Sequence, residues 1–269
     1  MKNNMKKISV LIMACSMGVA AQAQLIDPLT GSLSGYTDYL VNDVSHAGGL
    51  GISFTSSASG LSANYVGTGT SAEQALFLAP VGSFSTIFAV GDMLTVNVNI
   101  ANTVPLYDFG LAVAANNPSA ATAAADSTGA WSSRGLFDWA SVSYRQGQTA
   151  IRNNTSISGS VVTAANVING VASSAITELF IEWNSADVFT LGYFNGATQI
   201  TSEMATFAPG STIGSEIGFY ADTRATGNSL GFFNNLTISP IPIPEPTAMA
   251  LCGLGGLLGL VGWMRRKNS

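Results

Sequence analysis

Over most of the chain, apolar and polar residues alternate with a period of two. In Met93-Leu-Thr-Val-Asn-Val-Asn-Ile, Leu94, Val96, Val98 and Ile100 fall on one face and Thr95, Asn97 and Asn99 on the other, the pattern of a strand with one buried side. Ser85-Thr-Ile-Phe-Ala-Val reads as a strand before it, with Gly91-Asp92 as a hairpin turn between the two. Phe109-Gly-Leu-Ala-Val-Ala reads as a further strand. Trp139-Ala-Ser-Val-Ser-Tyr and Thr149-Ala-Ile-Arg flank a turn at Arg145-Gln-Gly-Gln. Ile176 to Trp183 and Val188 to Phe194 are predicted to pair across Asn184-Ser-Ala-Asp187, and the pattern closes with Ile217 to Ala221 and Leu230 to Ile238. Turn signals at intervals of roughly eight to twelve residues between short strands predict a two-sheet sandwich. The stretch from Ser56 to Thr70 is rich in Ser, Gly and Ala and promises little core, while the Ala-rich run Ser119 to Ala130 reads as a short helix or an exposed loop. No fixed-period repeat is present, which argues against a propeller or β-helix.

The two ends break the alternation. At the start, Lys2, Lys6 and Lys7 precede an apolar run, Ile8 to Ala20, and then Ala21-Gln22-Ala23. Basic residues, a short apolar stretch and small residues at the cleavage positions predict a signal peptide over residues 1–23, leaving Gln24 as the first mature residue. A lipoprotein signal ending at Cys15 is the competing reading, and Met13 fits it poorly. At the other end, a proline run over 240–246 contains Pro244-Glu245-Pro246. An uncharged span, Thr247 to Met264, follows, and then Arg265-Arg266-Lys267 in the last five residues, 265–269. As a helix the span covers roughly 27 Å, enough for a hydrocarbon core. Gly255 and Gly259 form a G-x-x-x-G pair, Trp263 takes an interfacial position, and the basic cluster behind it is expected to stay cytoplasmic.

Pro-Glu-Pro, apolar span and terminal basic cluster, in that order, resemble the PEP-CTERM sorting signal of Gram-negative bacteria. The resemblance implies an exosortase-type membrane protease as partner, cleavage near the triplet, a transient stay in the inner membrane, and delivery to the cell surface or extracellular matrix. In the body, Val188-Phe-Thr-Leu-Gly-Tyr-Phe-Asn-Gly, Ile217-Gly-Phe-Tyr and Phe232-Phe-Asn-Asn-Leu-Thr-Ile resemble the last strands of concanavalin-like jelly rolls. The aspartate frequent in that family near the final strand is replaced by Asn234 or Asn235.

Charge and cysteine use sharpen the compartment. Every acidic residue but Glu245 lies in the exported body, fourteen against four arginines (Arg134, Arg145, Arg152, Arg224) and no lysine, a formal charge of −10. A nucleic-acid partner needs a basic footprint, which this body lacks. Cys15 and Cys252 lie in the signal and the tail, so the body has no cysteine and must hold together by its core. The sequons at Asn153, Asn154 and Asn235 read as chance in a bacterial protein.

Candidate chemistry is sparse. The body's one histidine, His46, sits in Ser45-His-Ala-Gly-Gly and reads as a loop residue; no G-x-S-x-G elbow is present, so no catalytic triad and no zinc site are expected. Glu178 and Glu182 share one face of a predicted strand, but four residues put them roughly 13 Å apart, too far for a glycosidase pair. Glu178-Leu-Phe-Ile-Glu182 also departs from the E-x-D-x-x-E pattern of concanavalin-like glucanases. Structural calcium is chemically open, since oxygen ligands are plentiful, but no D-x-D-x-D-G loop names its residues. Trp131, Trp139 and Trp183 are candidates for stacking on a sugar ring, with burial in the core as the plainer role for strand aromatics.

The expectation is an all-β chain: an antiparallel, jelly-roll-like sandwich over 24–239, a signal helix before it, and a Pro-rich linker and transmembrane helix (247–264) after it. Its function is read as a non-enzymatic structural or polysaccharide-contacting component of the envelope or matrix, without cofactor. The alternative is a polysaccharide-degrading enzyme on the same sandwich. Ice or surface adhesion would need a flat face of regularly spaced threonines, and no such repeat occurs.

Overall fold

A computed structural model of the chain describes residues 22–43, 52–65, 73–100, 107–115, 138–145, 148–157, 165–223 and 232–241. Fifteen strands fill these segments: β1 (Gln24–Asp27), β2 (Thr37–Asp43), β3 (Ile52–Ser57), β4 (Gly60–Tyr65), β5 (Glu73–Pro80), β6 (Asp92–Asn99), β7 (Tyr107–Ala114), β8 (Trp139–Arg145), β9 (Ala150–Ser156), β10 (Ala165–Asn169), β11 (Glu178–Ser185), β12 (Val188–Asn195), β13 (Thr198–Thr206), β14 (Glu216–Thr223) and β15 (Phe232–Pro240). They form two antiparallel sheets. One has eight strands in the order β13-β12-β11-β6-β15-β4-β3, with β1 also on β15; the other has seven, β10-β9-β8-β7-β14-β5-β2. This is the expected sandwich.

The alternation read from the sequence decides which side chains meet between the sheets. Leu94 and Val96 of β6, Leu179 and Ile181 of β11, and Leu236 and Ile238 of β15 face Leu111, Val113, Val142, Ile217 and Phe219 of the other sheet in one apolar cluster. Aromatic pairs cross the gap. Phe54 stacks on Phe77 with centroids 4.7 Å apart and planes 5° apart, and Phe109 stacks on Phe233 at 4.1 Å. Each large apolar side chain removed from water stabilises the fold by about 1.5–3 kcal/mol.

Several expectations change. Ser85–Val90 is not a strand: Phe88 alone of its large side chains is buried, against Trp183, while Ile87 is 75% exposed. Gly91-Asp92 therefore joins no hairpin. Asp92 closes a turn by donating its amide to Ala89 and accepting the Ala89 amide on Oδ2, and Gly91 (φ 94°) donates to the Trp183 carbonyl. The segment after Ser56 holds more core than its composition promised, for Leu61 and Ala63 of the β3–β4 hairpin are buried. The β8–β9 and β11–β12 pairs form as predicted.

The signal residues up to 21, His46, the Ala-rich run 119–130, Trp131 and the whole tail (Pro244, Glu245, Pro246, the span Thr247–Met264, Arg265, Arg266, Lys267) lie outside the described residues. Among the described residues no helix is long and apolar enough to cross a membrane.

Candidate functional site

The face of the seven-stranded sheet turned away from the core is the unusual one. Strict register builds it in rows. Gln74, Asp222, Asp108 and Arg145 stand side by side on β5, β14, β7 and β8. The next row is Leu76, Tyr220, Gly110, Ser143 and Arg152, and the last brings Glu216, Ala114, Trp139 and Ser156 together. All these polar side chains are buried, Asp108 and Asp222 completely.

Burying ions is tolerated only when they are paired and hydrogen-bonded, and the first row meets that condition. Arg145 grips Asp108 with both arms, Nε to Oδ1 at 2.6 Å and Nη2 to Oδ2 at 2.8 Å, and its Nη2 also reaches Asp222 Oδ2 at 3.4 Å. Gln74 donates to the same Asp222 oxygen at 2.8 Å, and Arg152 Nη1 lies 3.5 Å from Asp108. Two arginines thus face two aspartates. Burial, and then the neighbouring Asp222 charge, push the Asp108 carboxyl up to about 6 against the pull of the arginines. Three buried acceptors on this face, Gln74 Oε1, Asn154 Oδ1 and Glu216 Oε2, have no hydrogen-bond partner among the described residues.

None of this cluster was singled out from the sequence as a site. Its signal was a lone charge at the end of an apolar strand: Asp108 before Phe-Gly-Leu-Ala-Val-Ala, Asp222 after Phe-Tyr-Ala, Arg145 after Ser-Tyr.

The tryptophans separate. Trp139 is 2% exposed and stacks on Tyr220 at 5.5 Å across β7, where Gly110 and Ala112 leave room for the rings. Trp183 faces inward at the end of β11, against Phe88 and Phe189, with its ring over Gly214. Both rings are therefore largely spoken for by protein neighbours. Glu178 and Glu182 do share a face, the outer one of the eight-stranded sheet, with Phe180 between them. Glu182 is 7% exposed and accepts from Gln199 Nε2 at 2.7 Å. Burial raises the pKa of half-buried Glu178. Ala23 and Gln24, at the predicted signal cleavage point, sit at the entry to β1. Among the described residues no three His, Cys, Asp or Glu side chains are grouped to hold a metal.

A solved protein of unknown function with a galectin-like fold from Bacillus subtilis is similar over 82% of this chain and 97% of its own, with a TM-score of 0.51 at 12% identity. LamA from Z. galactanivorans, solved in complex with laminaritriose and laminaritetraose, is similar over 81% of this chain and 96% of its own, with a TM-score of 0.41 at 8% identity. No curated protein matches the chain. Residues 242–267 match the PEP-CTERM protein-sorting motif. The chain thus joins a PEP-CTERM sorting motif to an all-β, two-sheet antiparallel sandwich of galectin-like fold.

Proposed function

We propose that this is an exported protein of the cell surface or extracellular matrix, delivered by the PEP-CTERM route, whose sandwich is a non-catalytic module that contacts matrix polysaccharide. The sorting motif at 242–267 is the observation that carries the reading. An exosortase-type membrane protease is its partner, and the inner membrane holds the chain until processing.

The disposition of carboxylates supports a non-catalytic body. Asp108 and Asp222 are close, but both are fully buried and share Arg145. A general acid or nucleophile must reach the glycosidic oxygen or the anomeric carbon. Glu178 and Glu182 are on one strand face roughly 13 Å apart, beyond the separation of a glycosidase pair. No cofactor is proposed.

Affinity electrophoresis of the processed protein through gels containing its host's extracellular polysaccharide tests the reading. Retardation by that polysaccharide, without release of reducing ends, is the expected result. Steady release of reducing ends would replace it with the enzyme reading, and free migration in every gel would remove the carbohydrate partner.

A further inference from the structure

The outer face of the eight-stranded sheet carries a groove of about 560 Å³ along β6 and β15, bounded by β1 and by Glu178 of β11. Its walls are hydroxyls and amides (Thr95, Asn97, Thr237) and the Glu178 carboxylate, while Met93 and Leu25 supply apolar surface. The outer face of an antiparallel sheet is ordinarily a solvated surface without relief. Here a defect in β15 makes the relief. Phe233 and Leu236 both point into the core, with two residues between them instead of one. The register against β6 accordingly jumps from Asn234–Asn97 to Thr237–Thr95. Asn235 takes up the extra residue in a left-handed conformation, φ 55°. Such bulges re-aim side chains and recur beside functional sites. This one re-phases β15 so that Thr237 and Ser239 turn outward, and it divides the strand edge between β4, which pairs at Phe233, and β1, which pairs from Leu236 on.

We propose that this groove is a saccharide site for a neutral, polyhydroxylated chain, with Asn97 and Glu178 as its principal hydrogen-bonding groups. The inference rests on the carbohydrate-contact reading and names its location. The Glu178 carboxylate, an acceptor with no hydrogen bond or ion pair to any described residue, suits sugar hydroxyls, and the Asn97 amide both donates and accepts. Thr95 and Thr237 bond to each other through their hydroxyls and keep further capacity toward the groove. Exposed Leu25 offers apolar surface for the C–H side of a ring, with the largely buried Met93 lining the groove beside it. Among the described residues no lysine or arginine lines the groove, and its one charged side chain, Glu178, disfavours an acidic polysaccharide.

The test uses processed protein purified from its host, run in affinity gels cast with the host's extracellular polysaccharide, split by anion exchange into neutral and acidic pools. Wild type should be retarded by the neutral pool. Glu178→Leu and Asn97→Phe, the second filling the groove, should each weaken retardation at least tenfold. Glu178→Gln, which keeps an acceptor, should lose less, and Thr37→Ser on β2, the edge strand of the other sheet, should bind as wild type. Retardation that survives both groove variants would overturn the site and leave the carbohydrate reading standing. Retardation by the acidic pool alone would also overturn it. No retardation of wild type in either pool would defeat the broader reading. Since a misfolded variant would mimic lost binding, each is compared at matched melting temperature; if Asn97→Phe fails to fold, Glu178→Leu carries the result.

Discussion

At the scale of single residues, the most consequential group is Arg145. It is buried and holds Asp108 with two hydrogen bonds while reaching Asp222. Removing one partner of a buried ionic cluster costs more than the cluster contributes, because the remaining charges keep their desolvation penalty. Arg145→Met should therefore destabilise the sandwich by about 3–5 kcal/mol in urea unfolding, and adding Asp108→Asn to it should recover part of the loss. The same cluster gives stability a pH dependence of unusual sign. Asp108 binds its proton more tightly folded, at about 6, than its ordinary value of 3.8. Between those values the native state carries the extra proton, so stability is highest below about pH 4 and falls as pH rises toward 6. Burial also raises half-buried Glu178 and buried Glu216, which add to the same slope. Urea midpoints measured from pH 4 to 7 should fall and then level off, and Asp108→Asn should flatten much of that fall. A midpoint that rises over the interval would contradict the assignment.

At the scale of elements, close approach of strands matters more than side-chain bulk. Gly110 sits in β7 between Tyr220 and Ser143, and a Cβ there would lie 2.1 Å from the Val142 carbonyl oxygen and 2.5 Å from Ser143 Cβ. Neither neighbour can yield without moving β8, so Gly110→Ala should cost about 1–3 kcal/mol, read as a lower melting temperature with the sandwich's circular dichroism retained. Strands with one wet face were legible in the sequence because alternation reports burial directly: β6, with Leu94 and Val96 inside and Thr95 and Asn97 outside, was placed to within a residue. The strand β5 escaped because both its faces are buried, from Gln74 through Ala79, so it shows no alternation. The strand β13 escaped for the opposite reason, being a mostly polar edge with little buried surface to impose a pattern. The Asp108–Arg145–Asp222 row was illegible for a third reason. Its members are 37 and 77 residues apart, and only strand register, which no local pattern encodes, sets them side by side. The bulge that shapes the groove left a fainter trace: Phe233 and Leu236 break the period of two, and Asn235 is a residue that tolerates the left-handed region.

At the scale of the whole molecule, the two ends of the sandwich are not equivalent. Gln24 pairs with Ile238 near the finish of β15, and Ile241, just beyond it, is tied by its amide to Gly91. The chain therefore enters and leaves the described body at the same end, where the β11–β12 turn carrying exposed Ala186 also lies. The β12–β13 turn with exposed Ala197 lies at the other end. If the apolar segment after residue 246 holds the unprocessed protein in the membrane, the Ala186 end must face the bilayer and the Ala197 end must face away. The body contains no cysteine, so one introduced thiol reports one position. In a chain with Cys252→Ser and the Pro244-Glu245-Pro246 triplet replaced by alanines to block processing, a membrane-impermeant maleimide should label Ala197→Cys several-fold faster than Ala186→Cys. With the triplet intact and the protein released, the ratio should fall to the smaller difference set by local sequence, Asp187 beside Ala186 disfavouring the thiolate there. Equal rates in the blocked chain would mean that the body lies free of the membrane, and a ratio unchanged by restoring the triplet would separate the tail from processing. If the segment after residue 246 holds the unprocessed chain in a membrane, the bilayer lies nearest the Ser239 and Leu25 end of the groove, because the described body ends at Ile241 just beyond β15, and cutting the tail then frees that end for a polysaccharide chain to enter.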